Sequence, residues 1–331
     1  MTFQGIAKTE SSRKLLILFA AFFAVYVFWG STYLAIKYAI ETLPPFLMAG
    51  SRFAFAGSIL FLWARLSKDY ETPTRAHWRT SFIVGTLLLL GGNGAVVLAQ
   101  HYIPSSLAAL LIATEPLWIV ILSWVWLNGG RPNWKVVVGL LLGFGGVWLL
   151  ITGRATTEIE GGYSQLIGIV AVLIGALSWA TGSIYGLRGS APRSSLLAAG
   201  MQMLSGSISL LLVGFIRGEW SAFEPSAVSS ASLFGLAYLV VFGSLIGFTA
   251  YSWLLKNARP SMVATYAYVN PVIAVLLGWL VAGESMTGQM LFGAGVVVGS
   301  VVLITSQNTQ EAPVEREEIE EPGVPAAGYS T

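Results

Sequence analysis

The chain has 331 residues and no cysteine. That excludes disulfides, thiolate metal sites and cysteine nucleophiles. It has two histidines, His77 and His101, and neither has a second histidine beside it at metal-ligand spacing. No Gly-rich loop ending in Lys and Ser/Thr occurs, so ATP hydrolysis within the chain is not expected. Charge is scarce: 10% of the residues are Asp, Glu, Lys or Arg, where soluble domains carry about 25%. What fills the chain instead is apolar. Hydrophobic residues make up 55% of it and the mean hydropathy is +0.72. Together these describe an all-α polytopic membrane protein.

A membrane span needs about 20 apolar residues. Ten segments meet or approach that length: 15–36, 46–66, 81–99, 104–127, 135–152, 165–187, 194–216, 231–255, 261–282 and 287–305. The first is longer than the apolar core of a secretory signal, and no cleavage pattern follows its basic flank Arg13-Lys14, so it reads as a retained span. Polar breaks such as Gln100-His101-Tyr102 and Asn257-Ala258-Arg259-Pro260 mark the turns. Lys and Arg orient the chain. With the N-terminal segment 1–14 in the cytoplasm, 14 of the 18 basic residues fall on the inside. Lys37, Arg154 and Arg217 fall outside, and Arg52 lies within a span. The bias supports ten spans with both termini cytoplasmic. The tail, 306–331, carries six glutamates and three prolines without apolar periodicity, and is expected to be disordered.

The chain repeats itself. Trp29 and Ala49-Gly50 recur as Trp179 and Ala199-Gly200, while Glu115-Pro116 and Trp124 recur as Asn270-Pro271 and Trp279. Leu149-Leu150-Ile151-Thr152 recurs as Val302-Leu303-Ile304-Thr305. Each unit, 15–152 and 165–305, holds five expected spans. Five is odd, so the second unit enters the membrane from the opposite side and the repeats are inverted. That arrangement suits a transporter working by alternating access.

Three stretches carry a resemblance: Phe28-Trp29-Gly30-Ser31-Thr32-Tyr33, the run from Pro44 to Phe53, and Tyr266-Ala267-Tyr268-Val269-Asn270-Pro271-Val272. They resemble the EamA family of the drug/metabolite transporter superfamily, its YedA-type inner-membrane members in particular, over roughly residues 15–306. The resemblance implies a ten-helix inverted-repeat fold with a central cavity. It also implies export of small metabolites, often amino acids or drug-like compounds, across a bacterial inner membrane. It fixes no substrate. Members often lack an acid at the position of Glu115.

The residues themselves point to a site. Glu115 is the one acid near the middle of a span, where a carboxylate is costly unless a cation or water meets it. It could bind a substrate amine, carry a coupling proton, or form a structural ion pair. Pro116 removes a helix hydrogen bond and frees the carbonyl of Ile112. Asn270-Pro271 repeats that device with a neutral amide, so the site is expected to be asymmetric. Asn93, between two glycines in the third span, could line a cavity or bond a neighbouring helix. Trp118 and Tyr266 share helix faces with Glu115 and Asn270, and with Trp29, Tyr33, Trp179 and Tyr268 they form a candidate aromatic wall. Thr32, Ser31, Thr181 and Ser183 could line a polar path or bond their own helices. Trp124, Trp126 and Trp134 read as an interfacial belt. Arg52 reads first as a snorkelling or interhelical anchor, its repeat counterpart being Gln202, with pairing to Glu115 as the other reading. The glycines of the fifth and tenth expected spans read as close helix packing.

The leading reading is therefore a secondary transporter. Its substrate-binding or coupling residues are Glu115, Asn270, Asn93, Trp29, Thr32, Trp118, Trp179 and Tyr266, with helix breaks at Pro116 and Pro271. A passive channel, facilitator or structural membrane subunit is the second class. An intramembrane enzyme is remote, since the chain offers no nucleophile with its base, no carboxylate pair and no histidine clearly inside a span. The expected partners are a small-molecule substrate and the lipid bilayer, with no nucleic acid, metal or cofactor. A homodimer is compatible with the sequence.

Overall fold

The computed structural model describes residues 15–68, 70–126, 134–152, 162–258, 263 and 265–308. Ten apolar helical segments organise them. We label these α1 Leu15–Ala39, α2 Pro45–Leu66, α3 Arg75–Ala99, α4 Ser105–Trp126, α5 Trp134–Thr152, α6 Gly162–Arg188, α7 Ser195–Ile216, α8 Ser230–Tyr251, α9 Tyr266–Ala282 and α10 Gly288–Asn308. By length and composition α1, α2, α3, α4, α6, α7 and α8 can each cross a membrane, while α5, α9 and α10 have shorter apolar stretches. Helix α8 continues to Asn257. Large apolar side chains such as Leu66, Phe234, Trp148 and Phe292 stand on the surface, as they do where the solvent is lipid. Trp124, Trp126 and Trp134 are exposed among them.

Helix ends differ from the apolar pattern where caps decide them. Helix α3 begins at Arg75, six residues before the expected start at 81, because Thr74 closes a capping box. Its hydroxyl accepts the His77 backbone N–H at 3.1 Å, and the His77 ring accepts the Thr74 N–H at 3.4 Å. The stretch Arg75-Ala76-His77-Trp78-Arg79 is too polar for a hydropathy window to include. Helix α10 runs on to Asn308, past the expected end at 305 and into the expected tail. The rest of that tail, the N-terminal segment 1–14 and part of the expected turn at 257–260 lie outside the described residues. The turn at 100–102 forms where the sequence places it.

Helices pack chiefly against the opposite repeat. Helix α2 lies along α7 and α5 along α10, so each of these four pairs with its own counterpart. Helix α1 packs on α8 and α9, and α6 correspondingly on α3 and α4. The core follows this weave. Ile36, Phe53, Leu60 and Leu89 are buried with Met203, Leu210 and Leu239, while Leu107, Leu111 and Val147 are buried with Val172, Val275 and Val297. Among the described residues each buried cluster draws on both repeats. The connecting segments repeat the pattern: Glu219 accepts the Leu47 backbone N–H at the start of α2 (2.9 Å), and Glu71 accepts the Arg193 N–H just before α7 (2.5 Å). The first satisfies a donor that the start of α2 leaves unbonded, and the second fixes the chain entering α7.

Close approach of α2 and α7 depends on small residues. A Cβ on Gly200 would lie 2.8 Å from the Phe61 backbone nitrogen and 3.2 Å from the Gly57 carbonyl. Backbone cannot step aside as a side chain can. Gly200→Ala is therefore expected to destabilise the protein by about 1–3 kcal/mol, the usual range for overpacking. Thermal unfolding of the purified protein measures it, and an unchanged melting temperature would show that the helices separate at no cost.

Candidate functional site

Helix α4 is two half-helices. Ser105–Ile112 ends, Ala113 and Thr114 turn, and a second run starts at Glu115. Thr114 holds the break: its hydroxyl donates to the Leu111 carbonyl at 2.7 Å, and its own carbonyl accepts from Leu117 and Trp118. Pro116 thus sits in the first turn of a new helix, where a missing N–H costs nothing. Glu115 opens that turn, at the positive end of the half-helix dipole, which favours a carboxylate. In α9 the matching Pro271 lies inside a continuous helix. It leaves the Ala267 carbonyl without its helical donor.

Helix α1 has a π-helical turn at Ala24–Phe28, α3 one at Thr86–Gly94, and α8 one at Leu239–Ile246. The last two begin 153 residues apart, the same offset as the repeat ends. Both wide turns offer carbonyls to the opposite repeat. Trp29 Nε1 donates to the Gly243 carbonyl at 3.0 Å, and Ser178 Oγ donates to the Leu87 carbonyl at 2.8 Å.

Between these irregular stretches lies a partly open cavity of about 100 Å³. Its walls include Glu115 and Ile112 from α4, Asn93 and Gly92 from α3, and Trp29, Thr32 and Tyr33 from α1. From the second repeat come Trp179, Gly243, Phe248, Tyr266 and Asn270. Seven of the eight residues expected from the sequence are therefore together. Glu115 and Asn270 are each 7% exposed. Asn93 Oδ1 and Asn270 Oδ1 are buried without a hydrogen-bond partner, so two amide acceptors and a carboxylate face one small space. Trp29 anchors the aromatic side, its ring centroid 5.1–5.4 Å from those of Phe248, Tyr251 and Tyr266.

Trp118 is the exception. It is not a lining residue and packs edge-on against Phe144 of α5, centroids 5.6 Å apart. Three residues along the same helical run from Glu115, its ring is turned toward α5 and not toward the cavity. Ser31, Thr32, Thr181 and Ser183 bond carbonyls of their own helices at 2.6–3.0 Å, Thr32 while also lining the cavity. Arg52 lines the cavity too, and it is 2% exposed. It does not snorkel. Its Nε donates to Ser244 Oγ at 2.9 Å and its guanidinium carbon lies 4.7 Å from the Phe53 ring centre. Gln202 has no place in the lining. Phe248 and Gly243 carried no signal in the sequence, because the π turn in α8 disrupts the period that would have put them on one face.

Two stretches of the chain, residues 15–152 and 166–306, each match the EamA-like transporter family. The chain belongs to this family. Among EamA-like relatives, YedA of Escherichia coli (strain K12), named an uncharacterized inner membrane transporter, is 38% identical over 295 residues, 88% of this chain and 92% of YedA. The uncharacterized transporter YvbV of Bacillus subtilis (strain 168) is 27% identical over 85% of this chain and 89% of its own. Protein PecM of Dickeya dadantii (strain 3937) is 25% identical over 86% and 90%. One protein of known crystal structure shares the fold, with a TM-score of 0.61 at 22% identity over 91% of this chain and 99% of that one. This is an EamA-like membrane transporter with two family repeats, and both repeats contribute to the cavity.

The start of α4, and with it Glu115, is set by a carboxylate clamp. Gly283 ends α9 with φ +63°, a left-handed conformation that glycine adopts freely. The turn delivers Glu284 to α4, where it accepts the Ser105 and Ser106 backbone N–H groups at 3.0 Å and the Ser105 hydroxyl at 2.8 Å. Lys37 Nζ lies 3.1 Å away. Burial by itself would push the Glu284 carboxyl up, but the bonds from Ser106, Ser105 and Lys37 hold it down at about 2, against an ordinary 4.5. A folded value below the unfolded one stabilises the fold at pH values above the unfolded pKa, and that stabilisation is lost as pH falls toward 2. Glu284→Gln should therefore lower the melting temperature at pH 7, with a constant gap to the parent down to about pH 5.5 that narrows below it. A gap that widens on acidification would contradict this.

Proposed function

We propose that the protein is a secondary transporter that exports small metabolites by alternating access around this cavity. In this reading ten spans form two inverted five-helix repeats, 15–152 and 165–305, with both termini in the cytoplasm and the chain in a bacterial inner membrane. Its substrates are amino acids or amphipathic, drug-like compounds. The observation that carries the proposal is the cavity itself. A carboxylate from one repeat and an amide from the other line one cavity between the repeats, beside a broken helix and two matched π turns. Such irregular backbone is tolerated at membrane depth where it lines a cavity, and interrupted helices at the interface of the repeats are the usual surroundings of a transport site. The inner-membrane relative YedA supports the location, and the family supports transport over catalysis.

Glu115 takes the substrate amine or the coupling proton. Among the described residues its carboxylate has no ion-pair partner, since the two ion pairs there are Lys37–Glu284 and Arg217–Glu219. A structural pairing is thus the weakest of its three readings. Glu115→Gln in reconstituted vesicles should lower transport by about 10- to 100-fold, the worth of a charge-assisted contact, or abolish its pH dependence, with the melting temperature retained. Unchanged flux with unchanged pH dependence would remove Glu115 from the mechanism. Movement against a gradient only when a pH difference is imposed marks a proton-coupled carrier, and flux that only ever runs downhill marks a facilitator.

A further inference from the structure

Arg52 is the charged group that this reading leaves unused. A cation well inside a span is costly and is normally paired or functional. Here Arg52 is 2% exposed and lines the cavity; among the described residues no carboxylate is in ion-pair contact with it, and its buried Nη1 has no hydrogen-bond partner. What does hold it is uncharged. Ser244, fully buried on the π turn of α8, takes Nε, and the Phe53 ring faces the guanidinium carbon. That pinning fixes the plane of the fork and leaves Nη1, one of the nitrogens of the edge that binds a carboxylate with two parallel bonds, without a partner. Glu115 lines the same cavity with the opposite charge, yet the two are not ion-paired. Two opposite charges in one low-dielectric space would cancel most cheaply by meeting. Held apart, each lacks a counter-ion, and one bipolar solute supplies both.

We propose that Arg52 is the anion-binding arm of the cavity, so that the substrate must carry an anionic group together with its cationic one. The cationic end sits among Glu115, Asn93 Oδ1 and Asn270 Oδ1, the anionic end sits on the Nη edge of Arg52, and the apolar body lies against Trp29, Trp179, Tyr266 and Phe248. This rests on the transporter reading and sharpens it: Glu115 by itself accepts any amine, whereas Arg52 rejects amines that lack an anion. Ser244 is a positioning residue for the guanidinium.

The test compares four zwitterions (phenylalanine, leucine, threonine and glutamine) with their carboxamides and their N-acetyl derivatives. Binding to the full chain in lipid nanodiscs is read as thermal stabilisation. The parent should bind at least one zwitterion and discriminate against both blocked forms. Arg52→Gln should weaken the zwitterion by about 10- to 100-fold, bringing it level with its carboxamide, while Glu115→Gln should erase the preference over the N-acetyl form instead. Ser244→Ala keeps the charge and should reduce the carboxylate preference only in part. If Arg52→Gln does not fold, Arg52→Lys retains the cation without the fork, and it too should show a reduced ratio of acid to amide affinity. The inference is overturned if no zwitterion stabilises the parent, if acids and amides bind the parent equally, or if the Arg52 variants keep the parent's ratio. Flux of the bound compounds in vesicles is scored separately. Binding with the expected Arg52 pattern but no flux would refute the transporter reading alone, and flux of an amine unaffected at Arg52 would refute the anion-binding arm alone.

Discussion

A polar group carried into the membrane interior has only the protein to bond to, and the structure is organised around that constraint. Where a helix begins next to another, its unbonded N–H groups are met by a carboxylate from the facing segment, as Glu219 does for α2 and Glu284 for α4. Mid-span hydroxyls turn back onto their own carbonyls. The wide turns of α3 and α8 hand their carbonyls to Ser178 and Trp29. What is left over after this accounting is small, and much of it borders the cavity: the Glu115 carboxylate, two amide oxygens and one guanidinium nitrogen.

Because each repeat packs chiefly against the other, the cavity is shared by construction. Helices α1, α2, α3 and α4 supply one set of walls and α6, α8 and α9 the rest. The symmetry of the frame does not extend to its contents. Glu115 begins a half-helix while Asn270 lies within a continuous one, and Arg52 points into the site while Gln202 does not. Paired helices make the scaffold, and the unmatched residues make it selective.

Much of this was legible beforehand. The ten apolar segments, the duplication and most of the lining follow from hydropathy and from the pairing of Glu115-Pro116 with Asn270-Pro271. The misses have different causes. Trp118 was placed by its three-residue spacing from Glu115, but its ring turns to Phe144 of α5, and Phe248 lies beyond a π turn that shifts the helical period of α8. Helix α3 started early because Thr74 and His77 form a cap that no average over hydropathy registers. Of the two structural readings of Arg52, the interhelical anchor fits its bond to Ser244 of α8, and snorkelling does not, since Ser244 and Phe53 hold the side chain inward.

The π turns have a consequence of their own. A turn of this kind carries an extra residue, so the side chains before and after it are out of phase by roughly a quarter of a revolution. In α8 the stretch below the turn presents Tyr238 to Ser31, and the stretch above presents Phe248 to Trp29. A regular helix would have to choose one azimuth for its whole length. With the phase slip, one rod keeps a fixed seam with its neighbour at one level and turns a different face to the solute at another, so packing and recognition can change independently along the same span.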